Sequence, residues 1–280
     1  REPRPGKVLA AVVCCCISSL VNGSASASPN QIVPRLLQAD ASLVASIPCA
    51  ADDHGPPPPV PAPSPPVRLE MMRARRLSQS RSELDQTHLC LLFPSAAGYR
   101  HRDRYTLQLL SLILGGYSTS LLWRLIRTIK GWAYTVSSET YEMEDVTVLE
   151  VYMAVASQHA RAALRATARE LKRVARKGVT EQELADAVGH AEGALAMRLE
   201  STDGAAFFWA DQLLSTHLRR APYDRAPAAA PTRPMSAAEE VAVLRGVTTA
   251  DLQRVARRTL ACRNTTVVRV GPHSSVKHTA

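Results

Sequence analysis

The chain has 280 residues, 46% hydrophobic and 21% charged, which excludes wholesale disorder and supplies core material for one large domain or two small ones. Its net charge of +9 fits nucleic acid, an anionic surface or an organellar setting alike and decides among none of them. The 6 cysteines include no Cys-x-x-Cys pair, so a zinc or redox framework built on cysteine is excluded.

Residues 1–50 admit two readings. Val8 to Val21 is a weakly polar run behind Arg1, Arg4 and Lys7, short for a transmembrane helix but of the kind found in a secretory leader. The other reading is a buried strand and a short helix, Gln31 to Val44, left from a preceding domain. Residues 51–84 read as a linker. Eight of the eleven residues from Pro56 to Pro66 are proline, which favours an extended chain and cannot build a core. A basic patch from Arg68 to Arg81 comes next.

From Gln86 the texture is that of a folded domain, residues 85–272, with 273–280 as a tail. His88 to Phe93 predicts a strand closed by Pro94. His88 is expected as a half-buried sheet residue. Arg102 to Leu114 predicts a helix with Leu107, Leu110 and Leu114 on one face, ended by Gly115 and Gly116. A second helix from Ser118 to Lys130 has Leu121, Leu122, Leu125 and Ile126 on its apolar face, and Gly131 stands where a left-handed residue would end it.

Trp132 to Tyr141 and Thr147 to Ala156 read as strands, the second with Leu149, Val151, Met153 and Val155 on one side. A helix from Gln158 to Arg176 succeeds them, with Ala160, Leu164, Ala168, Leu171 and Ala175 at helical spacing. Three capping boxes open helices: Thr180 with Glu183, Ser236 with Glu239, and Thr248 with Asp251. Phe207 to Leu218 is a further helix, and Thr265 to Val270 a closing strand. Helices segregated from a few strands give an α+β fold, a small mostly antiparallel sheet with helices packed on one face.

No His pair has metal-ligand spacing with a carboxylate between, and neither His-Glu-x-x-His nor His-x-x-Glu-His occurs, so no zinc site is expected within the chain. The sequence also lacks a Gly-x-Ser-x-Gly elbow and a phosphate loop. Arg161, Arg165, Arg169 and Arg173 recur every four residues. Without interleaved aromatics or a nucleic-acid motif they read as the solvated face of an amphipathic helix, and no nucleic-acid partner is expected.

The stretch Gln86 to Tyr141 carries a Gln-Thr-His strand ending in Phe-Pro, then Leu-Gly-Gly, Ser-Thr-Ser-Leu-Leu-Trp-Arg-Leu-Ile-Arg and Gly-Trp-Ala-Tyr-Thr-Val-Ser-Ser. It resembles the second domain of the pitrilysin/insulinase-type zinc metallopeptidases, the group that includes mitochondrial processing peptidase. Gly178 to Leu184, Leu199 to Thr202, Val247 to Leu252 and Val270 to Pro272 continue the likeness, which covers about residues 86–272.

The resemblance implies a division of labour. The family's first domain holds the zinc on His-x-x-Glu-His and a distant Glu, and the second has no metal ligands. Zinc is therefore expected in a first domain of a longer chain or in a homologous partner subunit, with peptide as substrate. The resemblance also implies an Arg followed seven residues later by a Tyr, both reaching the substrate backbone; Arg127 and Tyr134 stand at that spacing. It favours a first-domain remnant for residues 1–50. The alternative it leaves is a non-catalytic scaffold, as in relatives that are core subunits of a respiratory complex. With the basic charge it implies a mitochondrial location, replaced by a secretory route if residues 8–21 are a leader.

Overall fold

The computed structural model describes residues 74–97, 103–143, 146–220, 233–260 and 265–272, with side chains in the third segment described as far as residue 215. The readings made for residues 1–50 and 273–280, and for the linker up to residue 73, lie outside the described residues.

One five-stranded sheet organises the domain. Its strands are β1 (Arg75–Ser80), β2 (Gln86–Ser95), β3 (Ala133–Glu142), β4 (Thr147–Ala156) and β5 (Thr266–Gly271), in the order β1-β5-β2-β4-β3. β1 runs parallel to β5 and every other pairing is antiparallel, so the small, mostly antiparallel sheet expected from the sequence is present. β2 passes through Pro94, which lies opposite Val148. Its pairing with β5 stops at Leu92, so the proline falls where β2 has an open side, the position in a sheet that tolerates a residue without an N–H.

Among the described residues the main helices are α1 (Arg104–Ser111), α2 (Trp123–Ile129), α3 (Ala160–Lys177), α4 (Glu181–Leu199), α5 (Thr202–Arg220), α6 (Ala237–Arg245) and α7 (Thr249–Thr259). Alternation along the strands decides which face they cover. Leu89, Leu91 and Phe93 of β2, Leu149, Val151, Met153 and Val155 of β4 and Val136 of β3 share one cluster with Leu107, Leu110 and Leu114, Leu122 and Ile126, Leu171, and Leu252 and Val255. This is the period of two meeting the period of about 3.6, and it makes a two-layer core.

All three capping boxes are formed. Thr180, Ser236 and Thr248 each accept from the amide three residues on, and Glu183, Glu239 and Asp251 reach back to the cap amide. The arginine row of α3 lies outward: Arg161, Arg165 and Arg169 are exposed, while Arg173 binds Glu170 at 2.9 Å. α7 is clasped to α1 by Arg254, whose two terminal nitrogens donate to Asp103 at 2.6 and 2.8 Å.

Two wide helical turns set the corner between α2 and β3. The helix begun by α1 does not stop at Ser111 but widens into a π-helical turn, Leu112–Gly116. It brings Gly115 against the backbone of Ser137 and Ser138 on β3. α2 is itself π-helical, closed by Lys130 N–H donating to the Leu125 carbonyl at 3.2 Å. Such turns insert an extra residue and recur at functional sites.

Candidate functional site

Arg127 lies in the last turn of α2. Gly131 comes after it with φ +63°, a left-handed conformation that costs most residues about 1–2 kcal/mol and glycine little. Gly131 N–H donates to Arg127 O at 3.1 Å and Trp132 N–H to Ile126 O at 3.0 Å, so the chain reverses tightly into β3. Trp132 is braced in turn, stacked on the His159 ring at 5.6 Å with Lys130 Nζ 5.6 Å above it.

The β3–β4 register then slips between Ala133 and Thr135: Ala133 faces Val155 and Thr135 faces Ala154. Tyr134 is the extra residue of this bulge. A bulge releases a side chain from the strict alternation of its strand and re-aims it, and Tyr134 is 73% exposed. The Arg127 guanidinium carbon sits 4.9 Å from the Tyr134 ring centroid and 4.4 Å from that of Trp123. Stacking on two aromatic faces holds the cation in place and leaves its in-plane N–H groups for other partners. The two residues singled out from the sequence are thus brought together, and Trp123 joins them. The sequence does carry a signal for Trp123, since it precedes Arg127 by four residues, one helical turn.

The sheet face turned away from the helices continues from this corner. By register it carries Thr135, Ser137, Glu139 and Tyr141 of β3, Val148, Glu150, Tyr152 and Ala154 of β4, and His88, Cys90 and Leu92 of β2. Val148, Glu150, Ala154, Cys90 and Leu92 are buried, and the β3 residues are half-buried. His88 is half-buried, as expected, with Nδ1 2.8 Å from the Tyr152 hydroxyl, and burial lowers its pKa. Glu139 stands directly opposite Glu150. Burial first, and the Glu150 charge second, push its carboxyl up to about 7.

The direction of a pH effect comes from that shift. A carboxyl whose folded pKa is above its ordinary 4.5 is no burden while protonated, and destabilises the fold increasingly as pH rises from 4.5 to about 7. Glu139→Gln is therefore expected to stabilise the chain above neutrality by about 1–2 kcal/mol, a figure reduced for partial exposure, and to change little at pH 4. Urea unfolding across that pH range checks it. A variant no more stable than the parent at pH 8 would contradict the assigned repulsion.

No group of three or more His, Cys, Asp or Glu side chains is placed to hold a metal ion among the described residues. The polar groups gathered here are an exposed phenol, a stacked guanidinium, and the half-buried hydroxyls and carboxyl of Thr135, Ser137, Glu139 and Tyr141.

Known proteins share this architecture. The family described as "Peptidase M16 inactive domain" matches residues 35–189. An uncharacterized zinc protease of Mycobacterium tuberculosis is 34% identical over 128 residues, 45% of this chain and 29% of the relative. The match thus takes in less than a third of that protein's length. Among solved structures, a protease from Helicobacter pylori superposes with a TM-score of 0.61 at 19% identity, over 72% of this chain and 44% of that one. A chain of complex III2 from Candida albicans gives a TM-score of 0.57 at 12% identity, over 71% and 46%. At such identities the two structures show the shared α+β fold and nothing finer.

The expected mitochondrial location is corrected by these relatives. The matched zinc proteases come from Mycobacterium, Bacillus subtilis and Streptomyces coelicolor, bacteria without mitochondria.

Proposed function

The chain belongs to the peptidase M16 family as its inactive domain, and from that premise we propose that it binds peptide substrate for a zinc-bearing catalytic domain and helps close the chamber in which the peptide is cut. The family's zinc belongs to that other domain, in a longer polypeptide or in a homologous subunit, and no step of the chemistry assigned to this chain runs through it. The observation that carries the reading is the corner at Tyr134: a bulge exposes the phenol, and the Arg127 guanidinium is fixed between the Trp123 and Tyr134 rings.

Peptide hydrolysis builds negative charge on the carbonyl oxygen. A phenolic O–H and guanidinium N–H groups held beforehand by the fold stabilise that charge without reorganising at the moment of reaction. Between turnovers the same donors bind the backbone carbonyls of an extended peptide. The polar sheet face beside them, from Thr135 to Tyr141, offers further hydroxyls and carboxyls to side chains of that peptide.

In the complete peptidase, with the zinc-bearing domain present, Tyr134→Phe removes one hydroxyl and leaves the ring under Arg127. Turnover is expected to fall roughly 100-fold with the melting temperature unchanged. Unchanged kcat and KM would overturn the assignment. The rival reading, a non-catalytic scaffold subunit, draws on the fold shared with the complex III2 chain and is favoured if the complete protein cuts no peptide.

A further inference from the structure

α5 uses only one of its sides to join the domain. Phe208, Gln212 and Ser215 are buried, Asp211 reaches Arg104 of α1 at 2.8 Å, and Gln212 donates to Glu240 of α6 at 2.5 Å. The opposite side carries Phe207, Trp209, Leu213 and Leu214, exposed at 70%, 47%, 58% and 49%, with Ala206 and Ala210 exposed between them. At about 100° per residue these six side chains fall within a little under half of the helix circumference. Between residues 205 and 215 the sole charged residue is Asp211, and it is engaged with Arg104. Two aromatics and two leucines, each about half exposed or more, present on the order of 400 Å² of apolar surface, enough to mark an interaction site on a monomer.

We propose that this face pairs with the same face of a second copy of the chain, two α5 helices lying antiparallel about a twofold axis near Ala210. Three observations select that occupant. The first is shape: with the axis at Ala210, Leu214 of one copy falls against Ala206 of the other, and Leu213 against Phe207, so large side chains meet small or flat ones. Ala206 and Ala210, one turn apart, let the backbones approach.

The second is charge. A twofold contact sets each group against its own kind, and this strip has no free charge to repel its copy although the chain as a whole carries +9. The third is size and place. A stable interface covers about 800 Å² per partner with an apolar centre, and the strip is large enough to be that centre. It is also remote from the Tyr134 corner. Asp211 anchors α5 through Arg104 to Glu142, the last residue of β3, and Glu142 lies eight residue steps along the strand from Tyr134, roughly 25 Å. A partner seated at the corner leaves α5 uncovered.

Sedimentation of the full chain at tens of micromolar is expected to give twice the chain mass. Leu213→Glu, and separately Ala210→Glu, are expected to weaken self-association roughly 100-fold with unchanged helix content, because both positions are exposed in the single chain. Ile129→Glu, an equal change at a 63% exposed apolar residue of α2, is the control and is expected to stay dimeric. A parent chain that sediments as a monomer overturns the proposal, as does a dimer that survives both α5 substitutions. So does a monomer whose capture by the zinc-bearing domain is lost on Leu213→Glu, since the face would then belong to that domain.

Discussion

Arg104→Met is expected to lose about 3–5 kcal/mol of stability at neutral pH, the cost of leaving the largely buried Glu142 carboxylate without its cation. Arg104 is 5% exposed. Its Nε lies 2.6 Å from Glu142 of β3 and its Nη2 2.8 Å from Asp211 of α5, and Gln108 donates to the second Glu142 oxygen at 2.5 Å. Burial works against the guanidinium charge, but the two carboxylates outweigh it and raise the Arg104 pKa. Glu142 shows the other side of the balance. There burial outweighs the nearby cation and the carboxyl is raised above its ordinary range.

The network therefore sits close to the point where desolvation wins, and removing Arg104 tips it. The variant gives its own test of cause. Without the cation Glu142 takes up a proton more readily, so the gap to the parent should narrow as pH falls towards about 5. A loss due only to the missing packing of a long side chain would be the same at both ends. Urea denaturation at pH 5 and pH 8 reads the difference, and equal stability of variant and parent at pH 8 would sink the assignment.

Gly115→Ala is expected to cost about 3 kcal/mol, the upper range for forcing an atom into packed surroundings. A Cβ at Gly115 would lie 2.7 Å from Ser138 N and 2.8 Å from Ser137 C. Both are backbone atoms of β3, held by a ladder to β4 that runs from Ala133 to Glu142. To yield, the strand must break pairing or the helix must withdraw from the core, where Ile113 and Leu114 are buried. The next residue supplies the comparison. A Cβ at Gly116 would meet Leu112 Cδ2 at 2.6 Å, the end of a flexible side chain that can rotate away. Thermal unfolding should therefore rank Gly115→Ala well below Gly116→Ala, and equal losses would contradict the account.

Much of this fold is legible in the sequence, and the pattern of success has a physical reason. Strands β2, β3 and β4 and helix α3 emerge from apolar spacing, because each turns one apolar face to the common core. The capping boxes emerge from side-chain chemistry that acts over three residues. Arg127 and Tyr134 are paired by their spacing and context, and the fold sets them in contact.

The part that is not legible is non-local. β1, RRLSQS, is exposed along its length and has no apolar alternation to read; in sequence it is the basic end of a linker, and only β5, nearly two hundred residues away, makes it a strand. The bulge at Tyr134 depends on how β4 pairs, which β3 alone does not encode. Arg104 looks like an ordinary charge at a helix start, and its burial is decided by β3 and α5 together. In the same way the helix read from Phe207 to Leu218 does not show in sequence which of its sides stays outward.

The order β1-β5-β2 carries a kinetic consequence. Among the described strands β5 comes last in sequence, yet it lies between the first two, with Arg75 facing Thr266 on one side and His88 facing Val270 on the other. Among the described residues nothing nearer in sequence fills that place. A nascent chain that has not yet released residues 266–271 holds β1 without a neighbour and β2 with a bare, strongly apolar edge, LCLLF, open to any other strand. Closure of the sheet must therefore wait for contacts of very long sequence separation, which are slow to form. Until then the same edge is a template for association between chains, so the hazard of misassembly falls during synthesis rather than in the finished domain.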